Sequence, residues 1–326
     1  MSCLDVSVIL VNYNTKKLTI NAVNSVFEKT EGVDFEIIVV DNASVDGSIE
    51  ALKNTFGNRI KIIESRENLG FGKANNLAIK QTESKYIFLL NTDTLLMNNA
   101  IKILFDFMEQ NPDIGVSGGN LYDSEDNPTI SFKPKLFRLE NAFLNVFKYY
   151  IRKCIKQTRI NDFNYSKRNK KVGYIAGADM FIRKIALDAS GLFDEDFFMY
   201  FEEAELTNRL TKNGWFSYSV PLAKISHFGL GSQGGTVSEK VMGLFKQSEY
   251  LYYEKVFGKY GAKKHFQYKL RFERLCFLVK FFNLKNYKKP IKTFKNKYQV
   301  YKENLEKIKN EYRTYIGERL KNSISK

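Results

Sequence analysis

The sequence predicts an α/β fold, with a mostly parallel central sheet, helices on both faces and a basic helical C-terminal region. Three observations carry the prediction. Short runs rich in β-branched residues alternate with helical segments of about 10–15 residues, the rhythm of βαβ units. The run Tyr86–Leu90 is apolar throughout, as in a strand covered on both faces. The charge is segregated. Residues 251–326 hold 21 Lys and Arg against six Glu, whereas residues 1–250 hold 30 basic and 30 acidic side chains, so the whole net charge of +15 belongs to the C-terminal stretch.

Val6–Asn12 reads as the first strand, and Tyr13-Asn14-Thr15 turns the chain. Thr15 or Asn14 is placed to cap a helix over Leu18–Thr30, which lines up Leu18, Ala22, Val26 and Phe27 on one face. Phe35–Val40 is the second strand and ends at Asp41-Asn42-Ala43-Ser44; a helix follows from Asp46-Gly47-Ser48 through Phe56. Ile60–Ser65 is the third strand, and Glu67–Gly72 leads into a helix over Lys73–Gln81. Tyr86–Leu90 is the fourth strand, and its helix, Asn98–Gln110, is stopped by Asn111-Pro112. Ile114–Ser117 is the fifth. After Tyr122 the alternation breaks, and the aromatic, basic stretch of about 123–171 reads as an insertion covering the sheet edge. Regular structure resumes at Val172–Phe181, followed by a helix over Arg183–Ala189 and an acidic helix over Phe201–Lys212. Trp215–Pro221 and Ala223–His227 read as short strands, Gly229–Gly235 as a glycine-rich loop, and everything from Ser238 as helical.

At 326 residues the chain exceeds the usual size of one domain, and the expected division is a body over 1–235 and a basic helical region over 236–326. Cys3, Cys154 and Cys276 form no CxxC pair, which argues against a disulfide framework or a zinc site and suits a reducing compartment. No basic-then-apolar leader precedes the first strand, so no secretory signal is expected. The run Leu275–Leu284 is broken by Lys280 and Asn283 and is too short to span a bilayer. Together these features predict a cytoplasmic protein.

Ligands of open α/β sheets bind beyond the carboxyl ends of the strands. Polar strand ends are therefore the candidates for chemistry. Val11-Asn12-Tyr13 and Asp41 to Ser44 close the first two strands, and the absence of GxGxxG after the first argues against an NAD enzyme. Asp41 either accepts a hydrogen bond from the N3–H of uracil or thymine or caps a turn. Asn68-Leu69-Gly70-Phe71-Gly72 precedes a helix. There glycines let backbone N–H groups approach an anion and Lys73 adds charge, unless the turn is a plain helix start. Asp93 of Asn91-Thr92-Asp93 either holds a divalent cation against a phosphate-bearing substrate or caps the helix after it. Glu202-Glu203-Ala204-Glu205 follow an apolar aromatic segment that would desolvate them. Glu205 stands four residues before Arg209, the spacing of a structural ion pair, which leaves Glu202 or Glu203 as a candidate base, against a solvated acidic first turn. His227, one of two histidines, ends a strand and is either a metal ligand or structural.

Taken in order, VSVILVNYN (6–14), EIIVVDNASVDGS (36–48), ENLGFGKANNLAI (67–79), YIFLLNTDT (86–94), AGADMFIRK (176–184), FDEDFFMYFEEAELTNRL (193–210) and HFGLGS (227–232) resemble the family 2 glycosyltransferases of the GT-A fold. Their likeness is greatest to the bacterial rhamnosyltransferase-like branch. The resemblance implies an inverting transferase that moves a sugar, such as rhamnose, from a UDP- or dTDP-linked donor to a hydroxyl of a glycan or lipid-linked glycan acceptor of the cell surface. It places Val11, Asn12, Tyr13, Asp41 and Ser44 around base and ribose, and Asn68, Gly70 and Asn75 on the diphosphate side. Asn91, Thr92 and Asp93 would be the DxD element, with Asp93 on Mg2+ or Mn2+ and His227 at the metal or diphosphate; Glu203 would be the catalytic base, with Glu202 beside it. Two positions depart from the family pattern. Asn91 removes one DxD carboxylate, and Glu203 stands where Asp is usual, one methylene longer.

The basic stretch 251–326 interleaves its charge with Phe272, Phe277, Phe281, Phe282 and Tyr287. That suits either an interfacial helix on an anionic membrane surface, such as the inner face of the plasma membrane, or a solvated helical pair packed on the body. No recognition motif accompanies the charge, so nucleic acid is not an expected partner. Two rival functions stand beside the transferase. A sugar nucleotidyltransferase would carry a glycine-rich basic loop after the first strand, which is missing here; a non-catalytic sugar- or lipid-binding protein on the same fold would tolerate Glu at 203.

Overall fold

The computed structural model describes residues 4–139, 161–229, 239–281 and 291–324. The chain divides into two compact units, one from residues 1–136 and 158–241, the other from 137–157 and 242–326.

The first unit is built on a nine-stranded sheet. Its edge half is parallel: β3 (Lys61–Glu64), β2 (Phe35–Asp41), β1 (Val6–Asn12) and β4 (Tyr86–Leu90) lie side by side in that order. Beyond β4 the sheet is mixed. β10 (Asp179–Arg183) runs against both β4 and β6 (Ile114–Tyr122), while β11 (Phe216–His227) is parallel to β6. β5 (Thr94–Leu96) and β8 (Lys170–Val172) each run against β11, and β7 (Phe132–Lys133) pairs separately with β9 (Tyr174–Ile175).

Helices cover both faces, as the unbroken apolar strands require. On one face α1 (Lys16–Lys29), α2 (Ser48–Phe56) and α4 (Ala100–Gln110) pack Val23, Leu52 and Leu104 against Val8, Leu10 and Phe88. On the other, α3 (Phe71–Ile79), α5 (Lys184–Ser190) and α6 (Glu202–Lys212) pack Ala78, Leu187 and Leu206 against Ile9, Ile38 and Leu89. Arg183 is buried and pins β10 to α4, donating to the Ile114 carbonyl at 3.0 Å, the Met108 carbonyl at 2.6 Å and the Tyr86 hydroxyl at 2.9 Å. A planar fork of donors is what three diverging acceptors demand.

Several boundaries differ from the sequence reading, each for a tertiary reason. Neither Asn14 nor Thr15 caps α1 through its side chain. Thr15 Oγ1 turns to Asn12 Oδ1 at 2.7 Å, and Asp46, from the next crossover, accepts from Lys16 N at 3.0 Å. α4 starts at Ala100 rather than Asn98, because Thr94–Leu96 joins the sheet as β5 and the Asn98 side chain bonds the Leu222 carbonyl and Lys224 N. Asp93 therefore lies well before that helix and does not cap it. β11 is one strand instead of two. Its register breaks between Ser219 and Lys224, around Pro221, which has no N–H to give the ladder, but the chain does not turn. Within 123–171, β7 and β8 are regular strands, and residues 140–160 fall outside the described residues, as does most of the loop Gly229–Gly235.

The second unit is helical. α7 (Glu239–Phe257), α8 (Gly261–Phe281) and α9 (Ile291–Ile324) join through aromatic contacts, among them Tyr253 stacked on His265 and Phe266 on Tyr312. Lys269 of α8 sits between Glu249 at 3.0 Å and Glu311 at 3.3 Å. Among the described residues no helix is long and apolar enough to cross a membrane.

Candidate active site

The parallel register sets Asn12 beside Asp41 at the carboxyl ends of β1 and β2. Asn12 Nδ2 donates to Asp41 Oδ2 at 2.6 Å and to Ser44 Oγ at 3.0 Å, while its Oδ1 accepts from the Thr15 and Thr19 hydroxyls. Ser44 N donates to Asp41 Oδ1 at 2.8 Å, and Thr15 Oγ1 meets Thr92 Oγ1 at 3.1 Å. Asn12 and Asp41 are both 0% exposed. They form the frame of a polar corner, and what the corner presents outward is Val11, Tyr13 and Ser44. A cleft of about 480 Å³ opens beside Ser44, lined by Val45, Gly47 and Ser48, and reaches neither Asp93 nor Glu203.

The second turn is closed in the same way. Asn68 is half-buried, but Asn75 is fully buried and donates to the Phe71 carbonyl at 3.0 Å. Gly70 has φ +79°, and a Cβ there would lie 2.0 Å from the Phe198 carbonyl oxygen. The glycine is thus required by another segment of the chain, and Phe71 N, at the start of α3, already donates to that same oxygen at 2.9 Å.

Asp93 and His227 are delivered together. β5 and β11 pair with Thr94 opposite His227, and Phe228 N donates to the Asp93 carbonyl at 3.0 Å. Asp93 Oδ1 and His227 Nε2 stand 3.4 Å apart, with side-chain exposures of 14% and 22%. Two donors each about 2.1 Å from one divalent cation, at roughly 90–110°, are separated by about 3.0–3.4 Å, so this pair fits adjacent ligand positions. Among the described residues no cluster of three His, Cys, Asp or Glu is available to hold a metal. Phosphate oxygens and water would have to complete the shell, the usual habit of Mg2+. Asn91 holds the turn, its carbonyl accepting from Thr94 Oγ1 at 2.7 Å.

α6 begins at Glu202, after Tyr200 and Phe201, two successive non-glycine residues with φ of 73° and 69°. Left-handed backbone at such residues costs about 1–3 kcal/mol each and persists only where the surroundings enforce it. Asn14 and Ala43, in the polar corner, are the other site residues of this kind, leaving only Asp126 elsewhere among the described residues. Glu202 is 3% exposed, its Oε2 has no partner, and burial, followed by the charge of Glu203, pushes it well above the ordinary carboxylate range. Glu203 keeps part of its surface open; burial pushes it up to about 7, against the pull of its backbone N–H and of Lys133. Glu205 belongs to the scaffold, as its spacing implied. It holds Arg209 through three contacts of 2.8–3.0 Å, and Arg209 donates on to the carbonyls of Gly191 and Leu192.

Candidate residues thus sort into an open set (Val11, Tyr13, Ser44, Asn68, Asn91, Asp93, Glu203, His227) and a sealed set (Asn12, Asp41, Gly70, Asn75, Thr92, Glu202). Nothing in the local sequence singled out Asn42 or Asp179. Asn42 is buried and bonds the 68–70 turn; Asp179, the first residue of β10, is fully buried, accepts from Gly119 N at 2.6 Å and is pushed well above the usual carboxylate range by burial.

Residues 7–191 match the family described as glycosyl transferase family 2. Over 211 residues the chain is 26% identical to the N-acetylglucosaminyl-diphospho-decaprenol L-rhamnosyltransferase of Mycobacterium tuberculosis, an alignment covering 61% of this chain and 68% of that protein. In fold it is similar to GalNAc-T7, solved with UDP, GalNAc and Mn2+, at a TM-score of 0.57 and 14% identity. That likeness covers 84% of this chain and 52% of the other, so this chain spans about half its length. It is also similar to S. aureus TarS 1–349 in complex with UDP, at a TM-score of 0.50 and 17% identity over 89% of this chain and 76% of the other.

Proposed function

The chain belongs to glycosyl transferase family 2 and has the GT-A fold, and from that premise we propose that it transfers a sugar from a UDP- or dTDP-linked donor to a glycan hydroxyl with inversion, the sugar being a deoxyhexose such as rhamnose. The observation that carries the proposal is the arrival of Asp93, just before β5, and His227, at the end of the paired β11, at one point of the sheet edge, with both side chains partly open. Val11, Tyr13 and Ser44 face the nucleoside, Asn12, Asp41 and Thr92 hold that corner, and Asn68 with the Gly70 and Asn75 turn borders the diphosphate. Asp93 and His227 are the residues that would hold Mg2+ or Mn2+, which when bound supplies positive charge to the departing diphosphate.

The reaction is a single displacement. The acceptor oxygen bonds to the anomeric carbon as the carbon–diphosphate bond breaks, and Glu203 Oε takes the acceptor's proton. A carboxyl balanced near pH 7 is ionised often enough to act and basic enough to accept. Glu202 lies buried beside it, and burial together with the Glu203 charge pushes its carboxyl well above the ordinary range, which disfavours a second negative charge there.

Thermal denaturation with UDP or dTDP and Mg2+ or Mn2+ tests the donor side. Saturating nucleotide with cation should raise the Tm by about 5 °C or more, and EDTA should remove most of that rise. Equal shifts with ATP, or none with any nucleotide, would defeat the assignment. For the second unit we propose attachment to anionic membrane, supported by the charge excess of residues 251–326. Flotation with phosphatidylglycerol-containing liposomes should carry the full chain upward at low salt and lose it at about 0.5 M salt, where screening is nearly complete. A chain that stays in the bottom fraction at low salt refutes it.

A further inference from the structure

Asn42 lies on a hydrogen-bonded path that runs from the nucleotide corner to the segment carrying Glu203. It is 2% exposed, and its amide is spent on one turn. Nδ2 donates to Asn68 Oδ1 at 2.9 Å and to the Gly70 carbonyl at 3.1 Å, and Oδ1 accepts from Leu69 N at 2.9 Å. Its backbone N–H donates to the Asn12 carbonyl at 2.8 Å, which joins the path to the corner. From the turn the path crosses to a distant part of the sequence, because Gly70 packs against the Phe198 carbonyl and Phe71 N donates to it. The other end of that segment is fastened too: Asn76 Nδ2 donates to the Phe193 carbonyl at 2.9 Å and Phe193 N returns a bond to Asn76 Oδ1 at 3.1 Å. Between these fasteners and α6 stand only Met199 and the two left-handed residues Tyr200 and Phe201.

We propose that Asn42 is a positioning residue that clamps the 68–70 turn onto the Phe198 carbonyl and so fixes where Glu203 meets the acceptor. The inference rests on the reading of Glu203 as the base. Left-handed backbone at Tyr200 and Phe201 persists because its surroundings enforce it, and the Phe198 anchor is part of those surroundings. Loosening the turn weakens that anchor, shifts the start of α6 and opens Glu203 to water. The nucleotide corner and the base are then linked through one chain of bonds, in which the buried Asn42 amide holds the turn that meets the Phe198 carbonyl.

Asn42→Ala cuts the path at its origin, and Phe198→Gly loosens it at the far end, where the side chain is 38% exposed and the bond runs through the backbone. Three measurements on the full chain read the outcome. These are UDP affinity by calorimetry with Mn2+, kcat for nucleoside diphosphate release from the UDP- or dTDP-sugar the wild type uses, and the titration midpoint of the Glu203 carboxyl by carbon NMR. In both variants kcat should fall about tenfold to a hundredfold, the size of effect that a misplacement of about 1 Å produces. UDP affinity should fall less than kcat in Asn42→Ala, whose amide holds the turn bordering the diphosphate, and should hold within about threefold in Phe198→Gly; in both the Glu203 midpoint should move down by about one unit or more toward a solvated carboxyl. An unchanged kcat, a loss confined to UDP affinity, or a lowered kcat with an unmoved Glu203 midpoint overturns the proposal. If Asn42→Ala does not fold, Phe198→Gly decides alone. Activity in Glu203→Gln would instead remove the base assignment, whereas a dead Glu203→Gln beside wild-type behaviour in these two variants removes only the link.

Discussion

Glu203→Gln should abolish sugar transfer, lowering kcat by about 10²–10⁴-fold, the usual contribution of a positioned base, while leaving nucleotide affinity unchanged. The same substitution should make the protein more stable in alkaline solution. In the folded chain the Glu203 carboxyl is pushed up to about 7, above its value of about 4.3 in an unfolded chain. The folded state therefore holds this proton more tightly, and stability falls as pH rises from about 4 through 7. Gln escapes that penalty. The variant should gain about 1–3 kcal/mol over the wild type at pH 8 and nothing near pH 4, the lower end of the range allowing for the part of Glu203 still in water. The wild-type pH–rate profile should show an acid limb near 7, below which kcat/KM drops tenfold per pH unit. Near-normal turnover in Glu203→Gln, or equal melting temperatures at pH 8, would end the case for this residue.

Asp93→Ala should remove the cation response altogether. With its carboxylate gone, His227 alone offers one neutral ligand, too little to hold Mg2+ or Mn2+ against water. The rise in Tm given by UDP with Mn2+ should shrink to that given by UDP alone, and turnover should fall about a hundredfold or more. The wild type treated with EDTA should match the variant, and adding EDTA to the variant should change nothing further. If Asp93→Ala keeps a Mn2+-dependent shift, the cation sits elsewhere. If EDTA leaves the wild type fully active, the contact between Asp93 and His227 serves the fold alone.

Much of this architecture could be read from the chain because the strands that build it are apolar on both faces. β1 and β4 match their sequence bounds residue for residue, and β2 extends one residue, to the Asp41 that ends it. Strand direction was not legible. β10 runs against its neighbours, and nothing in DMFIR distinguishes a parallel from an antiparallel member of a covered sheet. Short strands such as β5 exist only because β11 passes beside them. The site shows the same limit. Residue types at the strand ends pointed to Asp93 and His227, and an acidic helix start to Glu202 or Glu203; the structure sets Asp93 against His227 and both glutamates in the first turn of their helix. Which polar residues face outward was not legible, since Asn12 and Asp41 are buried through bonds that join one strand end to the next, and Asn75 is buried on α3. Gly70 is the sharpest case, because the atom that forbids a side chain there belongs to Phe198, far along the chain.

The saturation of Asn12 has a consequence for selectivity. Both of its amide hydrogens and its oxygen are committed within the chain, to Asp41, Ser44, Thr15 and Thr19. Any guest that used this corner would meet a wall already built and would have to fit it as it stands.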